Sequence, residues 1–194
     1  MNIEKIKYLQ KIKKYALENN IPIIHDETLI FLQKIIQKYN LINILEIGSA
    51  IGYSALAMSN EKNNIQTIER DYNKYKLALH FLDNKKFNID FIWSEAFFYQ
   101  PIKKYDLIFI DAAKAQYKKL FQKYNLFVNE NKFIIFDNLN FRDLYIDNLD
   151  ISRSTRRLIK KINEFKVFLK NNYFLKTFFL NIGDGLSVSQ KKLK

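Results

Sequence analysis

The stretch Ile44-Leu45-Glu46-Ile47-Gly48-Ser49-Ala50-Ile51-Gly52-Tyr53-Ser54 decides the fold of this chain of 194 residues. It begins as a mostly apolar run, typical of a buried strand, and passes through a small-residue turn into a helix-compatible segment. Such a turn presents free backbone N–H groups at the start of a helix, and these suit an anionic or polar ligand. The spacing Gly48-x-x-x-Gly52 lacks the third glycine of a dinucleotide fingerprint. The stretch therefore predicts a binding turn within an α/β sheet.

Strands and helices alternate after this stretch. Apolar runs at 65–69, 88–92, 106–110 and 132–136 are interspersed with helical patterns at 53–60, 71–83 and 114–127. This alternation predicts an α/β fold in which helices cover both faces of a mostly parallel sheet. A later helix at 152–171 leads to a hairpin across Gly183-Asp184-Gly185, which adds an antiparallel strand at one edge of the sheet.

Two helices precede the sheet, at 2–19 and at about 27–39, and Asp26 is the predicted N-cap of the second. No repeat or linker divides the sequence. We therefore expect a single domain over residues 1–194, with 1–40 as a cap that contributes to substrate binding and to a dimer contact.

Composition narrows the class of protein. Apolar residues make up 48% of the chain, and the absence of cysteine excludes disulfides and fits a reducing cytoplasm. The segment 1–20 is Lys-rich and amphipathic, unlike a signal peptide, and no apolar run approaches the roughly 20 residues of a membrane span. These features predict a cytoplasmic protein with no membrane partner.

The net charge of +12, from 32 Lys and Arg against 20 Asp and Glu, favours a polyanionic partner. Abundant Lys, Asn and Ile also fit the codon bias of an AT-rich genome, so the scarce arginines are the better guide. Three of them share one face of the predicted helix 152–171 with a lysine: Arg153, Arg156, Arg157 and Lys160. Guanidinium groups suit phosphates, whereas a solvated face or an ion-paired subunit contact is the alternative.

Acidic or amide residues follow strand after strand. Because the carboxyl ends of parallel strands meet at one edge, where ligands bind, these side chains are candidate site residues. Glu69 ends the second strand and is the residue type that accepts hydrogen bonds from two ribose hydroxyls. Its alternative is an exposed glutamate beside a helix N-cap.

Asp111 follows the fourth strand, and Asp137 and Asn138 follow the fifth. Two carboxylates and an amide oxygen suit Mg²⁺, with waters and substrate oxygens completing an octahedron. Capping of the following segments by Asp111 and Asp137 is an equally open interpretation. Lys114, three residues beyond Asp111, is a candidate base beside such a cation, or one of many surface lysines.

In their order and spacing, these motifs resemble those of the metal-dependent class I S-adenosylmethionine O-methyltransferases, the catechol and caffeoyl-CoA type. The resemblance continues from the opening stretch through residues 67–71, 106–114, 137–138 and 183–186, and covers roughly residues 20–190. It implies a Rossmann-like fold with a seven-stranded sheet and a C-terminal antiparallel strand. It also implies Mg²⁺-assisted methyl transfer from S-adenosylmethionine to a hydroxyl group.

The resemblance further implies roles for individual residues. Three would hold the methionine moiety of the cofactor: Glu46, Gly48 and Ser54. The ribose would bind Glu69, and the adenine would meet Glu95 and Ala96, although Asp is commoner in the family at the first of these two positions. The link around Ile24 would close over the cofactor. The metal would bind Asp111, Asp137 and Asn138, with Asp111 also contacting the cofactor, and Lys114 matches the catalytic lysine.

Within the family, residues 110–117, the Arg-rich helix with its 162–165 segment and the 183–186 ending are most similar to the bacterial tRNA 5-hydroxyuridine methyltransferases. That branch converts wobble 5-hydroxyuridine to 5-methoxyuridine, so the tRNA anticodon stem-loop is the implied partner of Arg153, Arg156, Arg157 and Lys160. Relatives are often dimers, and we expect a homodimer. A catechol-like small-molecule O-methyltransferase is one alternative, and a non-catalytic RNA-binding protein on the same fold is another.

Overall fold

The computed structural model describes residues 3–82, 87–140 and 152–193. Within these ranges one sheet contains seven strands: β1 (Asn43–Ile47), β2 (Asn64–Glu69), β3 (Ile89–Trp93), β4 (Tyr105–Ile110), β5 (Val128–Phe136), β6 (Leu175–Leu180) and β7 (Leu186–Lys191). The α-helices are α1 (Ile3–Glu18), α2 (Asp26–Lys38), α3 (Tyr53–Met58), α4 (Tyr72–Phe81), α5 (Tyr117–Tyr124) and α6 (Arg153–Lys170).

The strand order is β3-β2-β1-β4-β5-β7-β6. Strands β1 to β5 pair in parallel, and β7 is antiparallel to both β5 and β6. The predicted α/β class, with seven mostly parallel strands and a C-terminal antiparallel strand, is confirmed. The hairpin occupies the sheet edge as expected, but the antiparallel strand itself lies one place inside it. The reason is burial: the first four residues of β7 are all buried, whereas β6 is partly exposed and suits the outer position.

Apolar side chains alternate between two cores, one on each face of the sheet. Ile44 of β1 belongs to the core beneath α1 to α4, whereas Leu45 and Ile47 belong to the core beneath α5 and α6. This period of two follows from the strand pleat, and it leaves Glu46 fully buried on the α3 side. In the part of the chain described here, no helix is long and apolar enough to cross a membrane.

Local differences from the sequence predictions have simple causes. The assignment of Asp26 as an N-cap is wrong, since α2 begins at Asp26 and its N-cap is His25, which makes no side-chain capping bond. The Asp26 carboxylate instead accepts hydrogen bonds from Lys13 Nζ of α1 at 2.7 and 2.8 Å. The predicted helix at 114–127 is α5 flanked by short 3₁₀ turns, Lys114–Gln116 and Asn125–Phe127.

Candidate active site

Backbone hydrogen bonds extend the parallel ladder past the strand ends and hold the following residues in register. They join Gly48 N to Ile68 O at 2.9 Å, Ser94 N to Glu69 O at 3.0 Å, Asp111 N to Ile47 O at 3.0 Å and Asp137 N to Ile110 O at 3.1 Å. The residues predicted from strand ends therefore lie along one edge of the sheet.

Gly48 fixes the turn after β1 against the end of β4. Its φ is +101°, and a Cβ built there would lie 2.0 Å from the backbone oxygen of Asp111. Only glycine fits both this conformation and this contact. The backbone that follows β1 and the backbone that carries Asp111 are consequently packed directly against each other.

Glu69 organises the other side of the same turn. Its side chain is only 9% exposed, and its two carboxylate oxygens accept hydrogen bonds from Ala50 N and Asp71 N, each at 2.8 Å. The interpretation of Glu69 as an exposed residue is therefore wrong. Since each carboxylate oxygen can accept more than one hydrogen bond, Glu69 retains acceptor capacity for a ligand.

A pocket of about 240 Å³ opens beside these residues. Its walls include five of the eight predicted cofactor residues: Gly48, Glu69, Glu95, Ala96 and Asp111. The other three, Ile24, Glu46 and Ser54, are buried and lie outside its walls. Sequence reasoning missed Arg70 and Gln116, which also line it; the position of Arg70 directly after Glu69 was the available signal.

Glu46 is a fully buried carboxyl group near the end of β1. Thr67 Oγ1 donates a hydrogen bond to its Oε2 at 2.5 Å, whereas Oε1 has no partner among the described residues. Burial raises the pKa of Glu46 to about 7, and the nearby hydroxyl groups of Ser54 and Thr67 oppose this increase. A buried carboxylate oxygen without a partner fits a cationic ligand group, as the methionine moiety of S-adenosylmethionine would provide.

Asp137 is the most buried acid on the other half of the edge, with 1% exposure. Its Oδ1 accepts the Asn138 N–H at 2.6 Å, and its Oδ2 has no partner in the described ranges. Burial and the charge of Asp111 raise the pKa of Asp137 to about 7. Burial also raises the pKa of Asp111, although the charge of Lys114 opposes this.

These contacts bear on the capping alternative and on the fit of a cation. Asp111 does not cap the next helix, because the N-cap of the 3₁₀ turn is Ala113, without a side-chain bond. Among the described residues no three His, Cys, Asp or Glu side chains converge as a ready-made metal site. The unpartnered Asp137 oxygen and the raised pKa values of two neighbouring acids nevertheless fit a hard cation shared with the Asn138 amide oxygen.

The turn between β6 and β7 adds a third carboxylate that sequence reasoning missed. The charge of Asp184 raises the pKa of both Asp111 and Asp137, and its Oδ2 lies 3.3 Å from His25 Nε2. Asn140 N donates to Asp184 O at 2.7 Å, so the turn is held beside the residues that follow β5. An acid between two glycines at the tip of the closing hairpin was the signal.

Lys114 begins the 3₁₀ turn after Asp111 and is half-buried. Its charge lowers the pKa of Asp111, which places the ammonium group near that carboxylate. In the next helix, the Tyr117 hydroxyl donates to Asp137 O at 2.9 Å. Within the segment 111–117, Lys114 thus lies near Asp111 and Tyr117 contacts Asp137. The role of Lys114 as a base stays a prediction.

The four basic residues of α6 (Arg153, Arg156, Arg157 and Lys160), which we call the arginine face, are all exposed. Helices α5 and α6 run side by side in the same direction, because Tyr117 packs on Phe165 at 5.8 Å and Phe121 on Phe168 at 5.3 Å. The residues before Phe165 therefore extend towards the turn that carries Lys114, against which α6 also packs. The arginine face lies at the same end of the sheet as the acids.

The chain is similar to known proteins. A protein-family model described as O-methyltransferase matches residues 2–192. The Arabidopsis thaliana tapetum-specific methyltransferase 1 is 30% identical, over 93% of this chain and 82% of its own length, and the Populus kitakamiensis caffeoyl-CoA O-methyltransferase is 26% identical, over 97% and 86%. A solved Staphylococcus aureus structure, provisionally assigned as a caffeoyl-CoA O-methyltransferase, aligns with a TM-score of 0.86 at 33% identity, covering 94% of this chain and 91% of its own.

A Bacillus cereus O-methyltransferase solved in complex with SAH aligns with a TM-score of 0.81 at 20% identity, covering 96% of this chain and 91% of its own. At this identity the likeness concerns the fold, whose Rossmann-like character agrees with the prediction.

Proposed function

The chain belongs to the O-methyltransferase family, in the class I caffeoyl-CoA type, and we propose that it methylates tRNA. The proposed reaction transfers a methyl group from S-adenosylmethionine to the 5-hydroxyl of wobble 5-hydroxyuridine and gives 5-methoxyuridine. We propose that the enzyme acts in the cytoplasm.

The observation that carries the RNA acceptor is the arginine face. Three guanidinium groups and an ammonium group are exposed on the part of α6 that extends towards Lys114. No carboxylate within the described ranges forms a salt bridge with any of them. Such a surface suits the phosphates of an anticodon stem-loop, whereas a catechol needs no cationic surface of this kind.

The pocket supports S-adenosylmethionine as the methyl donor. Its methyl group is bound to a sulfonium sulfur, and neutral S-adenosylhomocysteine would leave when the methyl group is transferred. Glu46 and the turn at Gly48 and Ser54 would hold the methionine moiety. Glu69 would accept hydrogen bonds from the ribose hydroxyls, and Glu95 and Ala96 would contact the adenine. The Bacillus cereus structure solved with SAH, which shares this fold, supports the same class of ligand.

On the acceptor side, Asp111, Asp137 and Asn138 would hold a divalent cation such as Mg²⁺. When bound, the cation would act as a Lewis acid that lowers the pKa of the acceptor hydroxyl. In its neutral amine form, Lys114 Nζ would receive the hydroxyl proton as the oxygen takes the methyl group and S-adenosylhomocysteine leaves. The side chains would thus position two groups and move one proton, with no covalent intermediate on the protein.

Exposed apolar side chains on α1 and α6, among them Ile3, Leu17 and Val167, support the expectation of a homodimer. Light scattering at several protein concentrations would measure the molecular mass in solution and so distinguish a monomer from a dimer.

The decisive experiment compares acceptors under identical conditions. Purified protein, labelled S-adenosylmethionine and Mg²⁺ are incubated with tRNA containing wobble 5-hydroxyuridine, with the same tRNA containing uridine, and with catechol. We expect label in 5-methoxyuridine from the first tRNA alone, and loss of transfer with EDTA. Equal activity with and without EDTA would contradict the proposed requirement for a divalent cation.

Two other outcomes would select the alternatives. Transfer to catechol without transfer to either tRNA would favour a small-molecule enzyme, in line with the name of the Populus relative. RNA binding without transfer to any acceptor would favour a non-catalytic RNA-binding protein.

A further inference from the structure

Trp93 and Tyr72 form an exposed aromatic pair next to the pocket. Trp93 is the only tryptophan of the chain and ends β3, the outermost strand on that side. Its side chain is 56% exposed, and its ring centroid lies 4.7 Å from that of Tyr72, which begins α4 and is 48% exposed. Neither ring belongs to the pocket wall, although the neighbouring Arg70 and Ser94 do.

The indole is held in one orientation on this surface. Its Nε1–H donates a hydrogen bond to the backbone oxygen of Arg70 at 3.1 Å. The ring is therefore fixed while half of its surface remains in water, so it can receive a flat ligand with little further loss of conformational freedom.

Cations border the pair. Lys76 Nζ lies 5.4 Å from the centroid of the Tyr72 ring, and Arg70, whose backbone oxygen accepts the indole N–H, is exposed. The acids nearby have other contacts: Glu69 accepts two backbone N–H groups, Asp71 caps α4, and Asp90 accepts a hydrogen bond from Gln66. Glu95 belongs to the pocket wall. Exposed aromatic rings bordered by cations are typical of surfaces that bind single-stranded nucleic acid.

We propose that Trp93 and Tyr72 are a stacking platform for an unpaired nucleobase of the RNA acceptor, with Arg70 and Lys76 directed to its phosphates. The inference rests on the proposed RNA acceptor and adds a second contact surface for it. Strand β3 is three strand spacings from β4, about 14 Å, so the platform would engage a different nucleotide from the one beside Asp111.

A second copy of the chain is the less favourable occupant. Two copies meeting at this surface would bring their Arg70 and Lys76 side chains together, in a protein whose net charge is already +12. The Arg70 and Lys76 side chains would instead attract a polyanion such as RNA.

The single tryptophan makes the test direct, because all indole emission comes from Trp93. The full chain is titrated with a synthetic anticodon stem-loop, and binding is followed by Trp93 emission and by the anisotropy of a dye on the RNA. We expect both signals to saturate together, with Trp93 emission quenched by stacking.

Matched variants separate stacking from simple charge. Tyr72→Ala should weaken RNA binding about tenfold, whereas Tyr72→Phe and Trp93→Phe should retain most of the affinity, since a ring remains. The control is Phe178→Ala on β6, at the opposite edge, where Lys176 Nζ likewise lies 5.3 Å from an exposed ring. This control should leave the affinity unchanged.

Three results would overturn the platform: RNA binding that leaves Trp93 emission unchanged, equal effects of Tyr72→Ala and Phe178→Ala, or an emission change on protein dilution without RNA, which would indicate a second copy. RNA that stacks on Trp93 but receives no methyl group would contradict the proposed function alone.

Discussion

The two halves of the site edge differ in how far the protein satisfies its own polar groups. On the cofactor half, at the ends of β1 and β2, both oxygens of Glu69 accept backbone N–H groups. On the acceptor half, at the ends of β4 and β5, Asp137 keeps a buried oxygen without a partner in the described ranges and faces the charges of Asp111 and Asp184. Backbone groups thus satisfy the proposed cofactor half in advance, whereas the carboxylates of the proposed cation half stay electrostatically unfavourable without an ion.

The largest expected effect tests the acceptor half. Asp137→Asn keeps the shape of the side chain but removes a charge, so methyl transfer should fall on the order of a thousandfold because the cation is held less well. Affinity for S-adenosylmethionine should stay within about twofold, measured by calorimetry. Asp90→Asn on the exposed side of β3 is the control and should change neither quantity. Loss of cofactor affinity in Asp137→Asn would show that the two halves are not separable.

Gly48→Ala tests the cofactor half. The new Cβ would lie 2.0 Å from Asp111 O at a φ of +101°, so the turn must move. We expect a loss of about 3 kcal/mol in cofactor binding, roughly a hundredfold, and a lower melting temperature.

The control for Gly48→Ala is Ala50→Gly in the same turn. Ala50 has a φ of +45°, so glycine relieves strain while it loosens the unfolded chain. The free energy of unfolding should stay within about 1 kcal/mol. Equal effects of the two substitutions would contradict the account of the Gly48 contact.

The combined Arg153→Gln, Arg156→Gln and Arg157→Gln variant tests the arginine face. RNA affinity should fall about tenfold, and the slope of log affinity against log salt should decrease by about 2. The matched control removes the same charge from α1 through Lys7→Gln, Lys11→Gln and Lys14→Gln, three exposed residues on one face. Equal losses in both variants would mean that net charge, not this face, binds RNA.

The smallest effect concerns Glu46, the acid of the cofactor half that has an oxygen without a partner among the described residues. Because the pKa of Glu46 is raised to about 7, it binds a proton in the folded state at pH values where the unfolded chain has released it. Its stabilising contribution is full below about pH 4.5 and decreases as the pH rises to 7.

A cationic ligand prefers the ionised form of Glu46, so affinity for S-adenosylmethionine should increase about fivefold between pH 6 and pH 8. Calorimetry in buffers of different ionisation enthalpy should detect proton release on binding. Glu46→Gln should remove this pH dependence, and an unchanged profile would contradict the assigned role.

The same contrast explains what the sequence could predict. Strand ends, the glycine turn and the Asp111, Asp137 and Asn138 set follow from local patterns, because parallel strands bring their carboxyl ends together. The contact of Asp184 with this edge depends on the insertion of β7 between β5 and β6, which no local pattern encodes. The wrong N-cap at Asp26 has a similar cause, since Lys13 reaches it from another helix.

The position of β7 has a consequence for synthesis. Strand β6 precedes β7 in the chain, yet within the described ranges its only strand neighbour is β7, so on the ribosome it is made before this pairing partner exists. The turn that carries Asp184 reaches its place only when the later strand joins β5. During translation the acceptor half is therefore the last part of the site to assemble, after the cradle around Gly48 has its partner strands.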